Sequence, residues 1–173
     1  MVTKAIDINM QETDMKTITI GGQIVEVNVA RLDLCKKTIY DLAPLQELTD
    51  IEYLALEENK IIDLSPLKTL VKLKTLYLCH NKIKDIKPIE RLTDLTVLSL
   101  WDNEIEDIAP IQGLAKLTNY GFGSNNITDI TPLQSLANTI EVDLEHNNIS
   151  DVTPLQSLIN TPRMYLSDNR PVR

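Results

Sequence analysis

Two histidines and two cysteines are the side chains best suited to catalysis or metal binding, but their positions favour neither. His80 and His146 occupy equivalent places in repeat units of the sequence that lie three units apart. At about 4.8 Å per unit they stand on the order of 15 Å apart, too far to share a metal ion or a substrate atom. Cys79 directly precedes His80, and neighbouring residues of a strand point to opposite sides, which argues against a nucleophile–base pair. We therefore expect no enzyme activity and no cofactor.

The remaining cysteine and a regular series of aspartates have structural interpretations. Cys35 and Cys79 occupy the same column two units apart, roughly 10 Å between Cα atoms, so we expect two free thiols. A series of single carboxylates lacks the clustered ligands of a calcium loop. We expect each aspartate instead to accept a hydrogen bond from a backbone N–H group in the turn before a helix. The series consists of Asp41, Asp63, Asp85, Asp107, Asp129 and Asp151.

These residues are held by a repeat with a period of twenty-two. Six asparagines keep this interval, and so do six of the 8 prolines. Such self-similarity is typical of a solenoid, in which each repeat forms one turn, called a rung here. The asparagine amide can donate to and accept from the backbone of adjacent rungs, which predicts a structural role. The two series are Asn59, Asn81, Asn103, Asn125, Asn147 and Asn169, and Pro44, Pro66, Pro88, Pro110, Pro132 and Pro154.

Each repeat predicts one short strand and one helical turn. Leu76 and Leu78 alternate with polar residues, which indicates a strand with one face in the core. The segment from Thr131 to Gln134 reads Thr-Pro-Leu-Gln, and it predicts a capping box that begins a short 3₁₀ turn on the opposite side. One rung buries too little apolar surface to offset its ordering entropy, so the rungs must stack.

Composition excludes several classes of protein. The chain has 173 residues, 43% of them hydrophobic and 24% charged, which is typical of a folded domain. Its net charge of -8 argues against a nucleic-acid partner, and no apolar run is long enough for membrane insertion. The absence of a signal peptide and two unpaired cysteines favour a cytoplasmic location. If an upstream signal has been removed, the protein is secreted or displayed on a cell surface.

The repeats LKTLYLCHNKIKDIKPI and LTVLSLWDNEIEDIAPI resemble leucine-rich repeats of the internalin type. The resemblance covers about residues 29–169, and it implies an α/β fold. That fold is a right-handed solenoid with a parallel sheet on the concave side and short 3₁₀ or helical turns on the convex side. It also implies a scaffold for protein recognition, although the consensus does not encode the partner.

The ends of the chain depart from this pattern. Gly21-Gly22 links two alternating runs, which predicts a hairpin, and we interpret residues 1–28 as an N-terminal β cap; a flexible leader before a hairpin is the alternative. Residues 29–173 then form about seven rungs without a C-terminal cap. Thr139 and Thr161 stand where other rungs have leucine, which predicts looser packing near the C-terminus.

Outward-facing residues of the predicted sheet are free of packing constraints, and four of the seven aromatic residues lie among them. We name three groups as a candidate binding surface for a protein or peptide that carries apolar and basic groups. They are an aromatic ridge of Tyr53, Tyr77 and Trp101, a hollow at Gly121 and Gly123, and an acidic ledge of Glu141, Asp143 and Glu145, with Tyr165 beyond it. The alternative is that aromatic residues are simply good strand formers.

Two other functions remain open at the level of sequence. An uncapped last rung exposing Met164 and Leu166 would favour self-association into a homodimer. Intracellular relatives of this repeat class serve as regulatory subunits of enzymes such as phosphatases, although the proline of each unit looks more bacterial.

Overall fold

Short strands alternate with 3₁₀ helices throughout the computed structural model, which describes residues 16–169. The strands are Thr17–Ile20 (β1), Gln23–Glu26 (β2), Arg31–Asp33 (β3), Tyr53–Ala55 (β4), Thr75–Tyr77 (β5), Val97–Ser99 (β6), Asn119–Gly121 (β7), Glu141–Asp143 (β8) and Arg163–Tyr165 (β9). The 3₁₀ helices are Ala43–Glu47 (η1), Ser65–Thr69 (η2), Lys87–Ile89 (η3), Ala109–Gly113 (η4), Thr131–Ser135 (η5) and Thr153–Leu158 (η6).

The strands β3 to β9 form one parallel sheet in the order of the sequence. Each residue of a strand pairs with the residue one repeat further along the chain, as Leu76 does with Leu98. The register therefore stays constant, and every column of the sequence becomes a row of side chains across the sheet. The 3₁₀ helices η1 to η6 return the chain on the opposite side. The predicted right-handed solenoid is confirmed, with its parallel sheet on the concave side.

A single hydrophobic core runs between the sheet and the 3₁₀ helices. In the rung around Asn81, seven apolar side chains are at most 1% exposed, and they occupy the columns that the repeat predicts. They are Leu73, Leu76, Leu78, Ile83, Ile86, Ile89 and Leu92. The same columns are buried in neighbouring rungs, so each rung covers the apolar faces of the two beside it.

The asparagine column joins successive rungs through the backbone. Asn103 Nδ2 donates to the carbonyl oxygens of Leu78 and Leu100 at 3.0 Å each, and its Oδ1 accepts from the N–H group of Ile83 at 3.0 Å. The other five asparagines make equivalent contacts. One amide thus satisfies backbone groups of two rungs, which a buried corner of a solenoid requires.

The predicted capping box is wrong. Thr131 is the first residue of η5, and neither it nor the preceding Ile130 caps the helix with its side chain. Asp129 does this instead, because its Oδ1 accepts from the backbone N–H group of Thr131 at 2.8 Å. All six aspartates of the series make this contact at 2.7–2.8 Å, as the sequence predicted.

An antiparallel hairpin covers the first rung. A two-residue turn at Gly21-Gly22 joins β1 to β2, and both glycines have positive φ angles of 56° and 76°. Ile20 and Val25 are buried in the same core as the rungs. Residues 1–15 of the predicted cap lie outside the described residues, so the boundaries 1–28 and 29–173 stay a prediction.

The rung around Asn125 contacts Thr139, which stands in the next rung at a position where other rungs have leucine. Tyr120 and Phe122 replace two aliphatic residues there, and both are buried. The Tyr120 hydroxyl lies 2.8 Å from Oγ1 of Thr139, which also donates to the carbonyl oxygen of Leu136 at 2.7 Å. Thr139 is therefore buried with both of these hydrogen bonds made, while the looser packing predicted near the C-terminus stays a prediction.

Candidate functional site

The predicted binding residues all lie in the outward columns of the concave sheet. The strand register places Tyr77, Ser99, Gly121, Asp143 and Tyr165 in one row across five rungs. Trp101, Gly123 and Glu145 follow two residues behind their strands in a second row, where backbone hydrogen bonds continue the pairing. The repeat therefore brings residues that are far apart in sequence onto one continuous surface.

The first part of the aromatic ridge is tightly organised. The rings of Tyr53 and Tyr77 meet edge to face, with 5.8 Å between their centroids. The guanidinium carbon of Arg31 lies 3.8 Å from the centroid of Tyr53, a cation–π contact that the sequence analysis did not foresee. Each of these rings is half-buried. Tyr53 and Tyr77 are thus held in defined orientations before any partner arrives.

Trp101 belongs to a separate cluster. Its indole meets the ring of His80 at 5.1 Å between centroids, and no ring contact links it to Tyr77 among the described residues. It also lies over Gly123, where an added Cβ atom would be 2.5 Å from the indole Nε1. Two expectations are corrected: the ridge is divided between Tyr77 and Trp101, and Trp101 fills the hollow at Gly123 because glycine leaves room for its ring.

The predicted hollow is present at Gly121. An open depression of ≈ 490 Å³ lies there, between Tyr77 on one side and the acidic ledge on the other. It exists because the two rungs between these walls contribute only small side chains to this row, those of Ser99 and Gly121. The residues that line it are Tyr77, Val97, Leu98, Ser99, Asn119, Tyr120, Gly121, Glu141 and Asp143.

The three carboxylates of the acidic ledge have different partners. Glu141 pairs with Arg163 at 3.1 Å, and Glu145 accepts from the hydroxyl of Ser167 at 2.5 Å. Asp143 Oδ1 accepts from the backbone N–H group of Glu145 at 2.9 Å, but no ion pair in residues 16–169 includes it. Partial burial raises the pKa of Asp143, and the nearby charges of Glu145 and Glu141 act in the same direction.

The thiols and imidazoles form no catalytic arrangement in this part of the chain. Cys35 and Cys79 are both free, as predicted. Burial raises the pKa of Cys79, and it raises the pKa of Cys35 to about 12, which disfavours the nucleophilic thiolate. His80 Nδ1 lies 2.7 Å from Asp102 Oδ2, a contact between successive rungs that the sequence did not reveal. Within residues 16–169 no three potential ligands come together as a metal site.

Two further surfaces offer less to a ligand. A depression of ≈ 600 Å³ beside the 3₁₀ helices is lined mainly by lysines and carboxylates, and Lys84 and Glu104 there already pair at 3.1 Å. At the other end, Met164 and Leu166 are half-buried against the core, so less apolar surface is exposed than the homodimer hypothesis assumed. Self-association stays a prediction. No helix among the described residues is long and apolar enough to cross a bilayer.

Comparison with known proteins identifies the family to which this solenoid belongs. A sequence model described as leucine-rich repeats (two copies) matches residues 71–119. Internalin C2 of Listeria monocytogenes is 31% identical, with a TM-score of 0.55, and the match covers 80% of this chain and 81% of that one. The chain belongs to the internalin-type leucine-rich repeat family.

Two other solved structures agree with this assignment. An internalin (InlF) of Listeria monocytogenes is 27% identical over 88% of this chain, with a TM-score of 0.70. A leucine-rich repeat protein of Leptospira interrogans is also 27% identical, over 80% of this chain, with a TM-score of 0.73. This internalin-type chain spans 53% of the length of the InlF structure and 37% of the Leptospira one. No curated protein sequence matches it.

Proposed function

We propose that this internalin-type chain is a non-catalytic recognition module that binds a protein or peptide on its concave sheet. The leucine-rich repeat fold commonly mediates protein–protein interaction, and it presents a row of side chains across many rungs. The observation that carries the proposal is the organised set of half-buried aromatic rings on the solvent-facing side of the sheet. Packing of the core does not require these rings at outward positions.

The energetics of interfaces support this assignment. Tyrosine and tryptophan supply large contact areas at low entropic cost, and they are enriched among the residues that dominate binding. Here Arg31 and Tyr77 hold Tyr53 from two sides, while His80 and Gly123 accommodate Trp101. Because the rings are already ordered, a partner that contacts them loses little further side-chain entropy.

Alanine substitution tests the proposal. We expect Tyr77→Ala and Trp101→Ala each to weaken binding of the physiological partner by more than about tenfold, since central aromatic anchors contribute about 2 kcal/mol or more. Affinity would be measured by calorimetry once the partner is purified by capture on the immobilised domain.

Tyr40→Ala is the matched control for these variants. Tyr40 is 76% exposed and lies outside the sheet, so its removal deletes the same chemical group from another surface. If Tyr77→Ala and Trp101→Ala bind as tightly as the Tyr40→Ala control, the concave sheet is not the binding surface and the proposal is wrong.

A further inference from the structure

We propose that the hollow at Gly121 is a socket for a single arginine side chain of the partner, whose guanidinium group pairs with Asp143. This rests on the proposed function, because it assigns the chemistry of one contact on the same surface. It narrows the expectation of a partner that carries apolar and basic groups, because it places a basic group in the hollow.

The shape of the hollow suits a long, thin side chain. Tyr77, Ser99, Gly121 and Asp143 follow one another across the sheet, one per strand. At about 4.8 Å per strand, the Cα atoms of Tyr77 and Asp143 are separated by roughly 14 Å. The small side chains between them make a floor on which the alkyl part of an arginine can lie, with Tyr77 and Val97 as apolar walls.

The carboxylate of Asp143 lines the far end of the hollow, with its Oδ1 turned towards Gly123, and its negative charge favours a cation as the ligand. Asp143 is half-buried, and its carboxylate accepts one hydrogen bond among the described residues, at Oδ1 from the backbone N–H group of Glu145. A carboxylate that is partly removed from water and flanked by Glu141 and Glu145 gains from a positive neighbour. The raised pKa of Asp143 agrees with this. An apolar group in the hollow would bury the carboxylate further and leave it uncompensated, which costs free energy.

On the same surface, arginines of this chain already contact the two kinds of group that face the hollow, an aromatic ring and a carboxylate. Arg31 stacks on the ring of Tyr53 at 3.8 Å, and Arg163 pairs with Glu141 at 3.1 Å. Tyr77 and Asp143 offer an equivalent ring and carboxylate across the hollow, without an arginine from residues 16–169. Arginine suits such a site better than lysine, because its planar guanidinium group packs on rings and donates two parallel hydrogen bonds to a carboxylate.

A titration with small probes tests the socket without the physiological partner. The probes are the N-acetyl, N-methylamide derivatives of arginine, lysine and norleucine, followed through the Gly121 amide signal in ¹⁵N NMR spectra. We expect saturable shifts with arginine, weaker binding of lysine and none of norleucine. Asp143→Asn, which keeps the shape and the acceptor for Glu145, should raise the Kd for the arginine probe by about tenfold. Glu106→Gln removes the same charge outside the sheet and should leave the Kd unchanged.

A second variant separates steric from electrostatic effects. Gly121 does not have a positive φ, and an added Cβ atom would lie 3.6 Å from Ser99 Oγ, an ordinary contact. Gly121→Leu should therefore fold, fill the hollow and abolish the shifts. Equal binding of the arginine and norleucine probes, equal binding of arginine and lysine, or an unchanged Kd in Asp143→Asn would each overturn the inference.

The outcome for the socket is distinct from that for the proposed function. If Tyr77→Ala weakens capture of the physiological partner while Asp143→Asn does not, the sheet is the binding surface and the arginine socket is wrong. If Tyr77→Ala, Trp101→Ala and Asp143→Asn all leave partner binding unchanged, the proposed function itself is wrong.

Discussion

At the scale of single residues, the asparagine column has the least freedom to vary. Each amide satisfies several backbone groups at the corner where the chain leaves the strand, and Asn103 is only 8% exposed. A hydrophobic residue of similar size would fill the space but would leave those groups without partners. The column is thus an inter-rung hydrogen-bond network, in which one donor and one acceptor atom stabilise two rungs.

We expect Asn103→Ala to lower the free energy of unfolding by about 3 kcal/mol, because it leaves the N–H group of Ile83 and the carbonyl oxygens of Leu78 and Leu100 unpaired. Urea denaturation measures this change. Asn138→Ala is the matched control, since Asn138 is exposed and should cost less than about 0.5 kcal/mol. Equal losses in the two variants would contradict the role assigned to the column.

At the scale of elements, the aspartate column determines where each 3₁₀ helix begins. Proline lies in the first turn of every one of these helices and lacks an N–H group, so the residue before it presents the N–H group that needs a partner. The aspartate two residues earlier provides it. Hydrogen bonds from Thr131 lower the pKa of Asp129. The hydroxyl of Thr131 has the larger effect, and its backbone N–H group has the smaller one. The pKa values of Asp63 and Asp151 are lowered by equivalent contacts.

The lowered pKa values of Asp63, Asp129 and Asp151 should make the fold sensitive to acid. A carboxyl whose folded pKa lies below its unfolded pKa of about 3.9 stabilises the protein above that value, and this stability is lost as pH falls through the folded pKa. We therefore expect Tm to fall as the pH is lowered below about 4, with a smaller decrease in Asp129→Asn. Thermal unfolding followed by circular dichroism at stepped pH tests this; an identical pH dependence in the variant would contradict it.

At the scale of the whole molecule, the hairpin and the rungs share one core but interact only with their neighbours. Ile20 is 4% exposed and packs into the core with the first rung. In such an array a local loss of stability spreads to adjacent rungs and decays with distance. The hairpin therefore stabilises the N-terminal end of the binding surface, including Arg31 and Tyr53, more than the hollow at Gly121.

We expect Ile20→Ala to reduce hydrogen-exchange protection of the Leu34 amide, which bonds to the carbonyl oxygen of Ala55, more than that of the Phe122 amide. The local cost should be about 2–4 kcal/mol, the usual range for truncating a buried isoleucine. Thr19→Ala, an exposed change in the same strand, serves as the control. Equal loss of protection at both amides would show that the solenoid unfolds as one unit instead.

Much of the fold was predictable because a constant period repeats each local choice six times. Residue type and spacing predict the contacts of the asparagines and aspartates and the buried columns. They also predict which strand residues face outward from the sheet. The capping box failed because Thr131 has a stronger competitor two residues earlier, the carboxylate of Asp129. Contacts such as His80 with Asp102 were missed because they join side chains of different rungs, whose rotamers the period does not determine.

The amino-acid sequence by itself determined the solenoid, its register and the list of side chains that face outward, since these depend on periodicity alone. Only the tertiary structure decided how those side chains divide the surface. Trp101 fills the space over Gly123, Arg163 neutralises Glu141, and the space over Gly121 and the charge of Asp143 remain available. The physical reason is that such contacts depend on side-chain length and direction across neighbouring strands, which a column of letters does not contain.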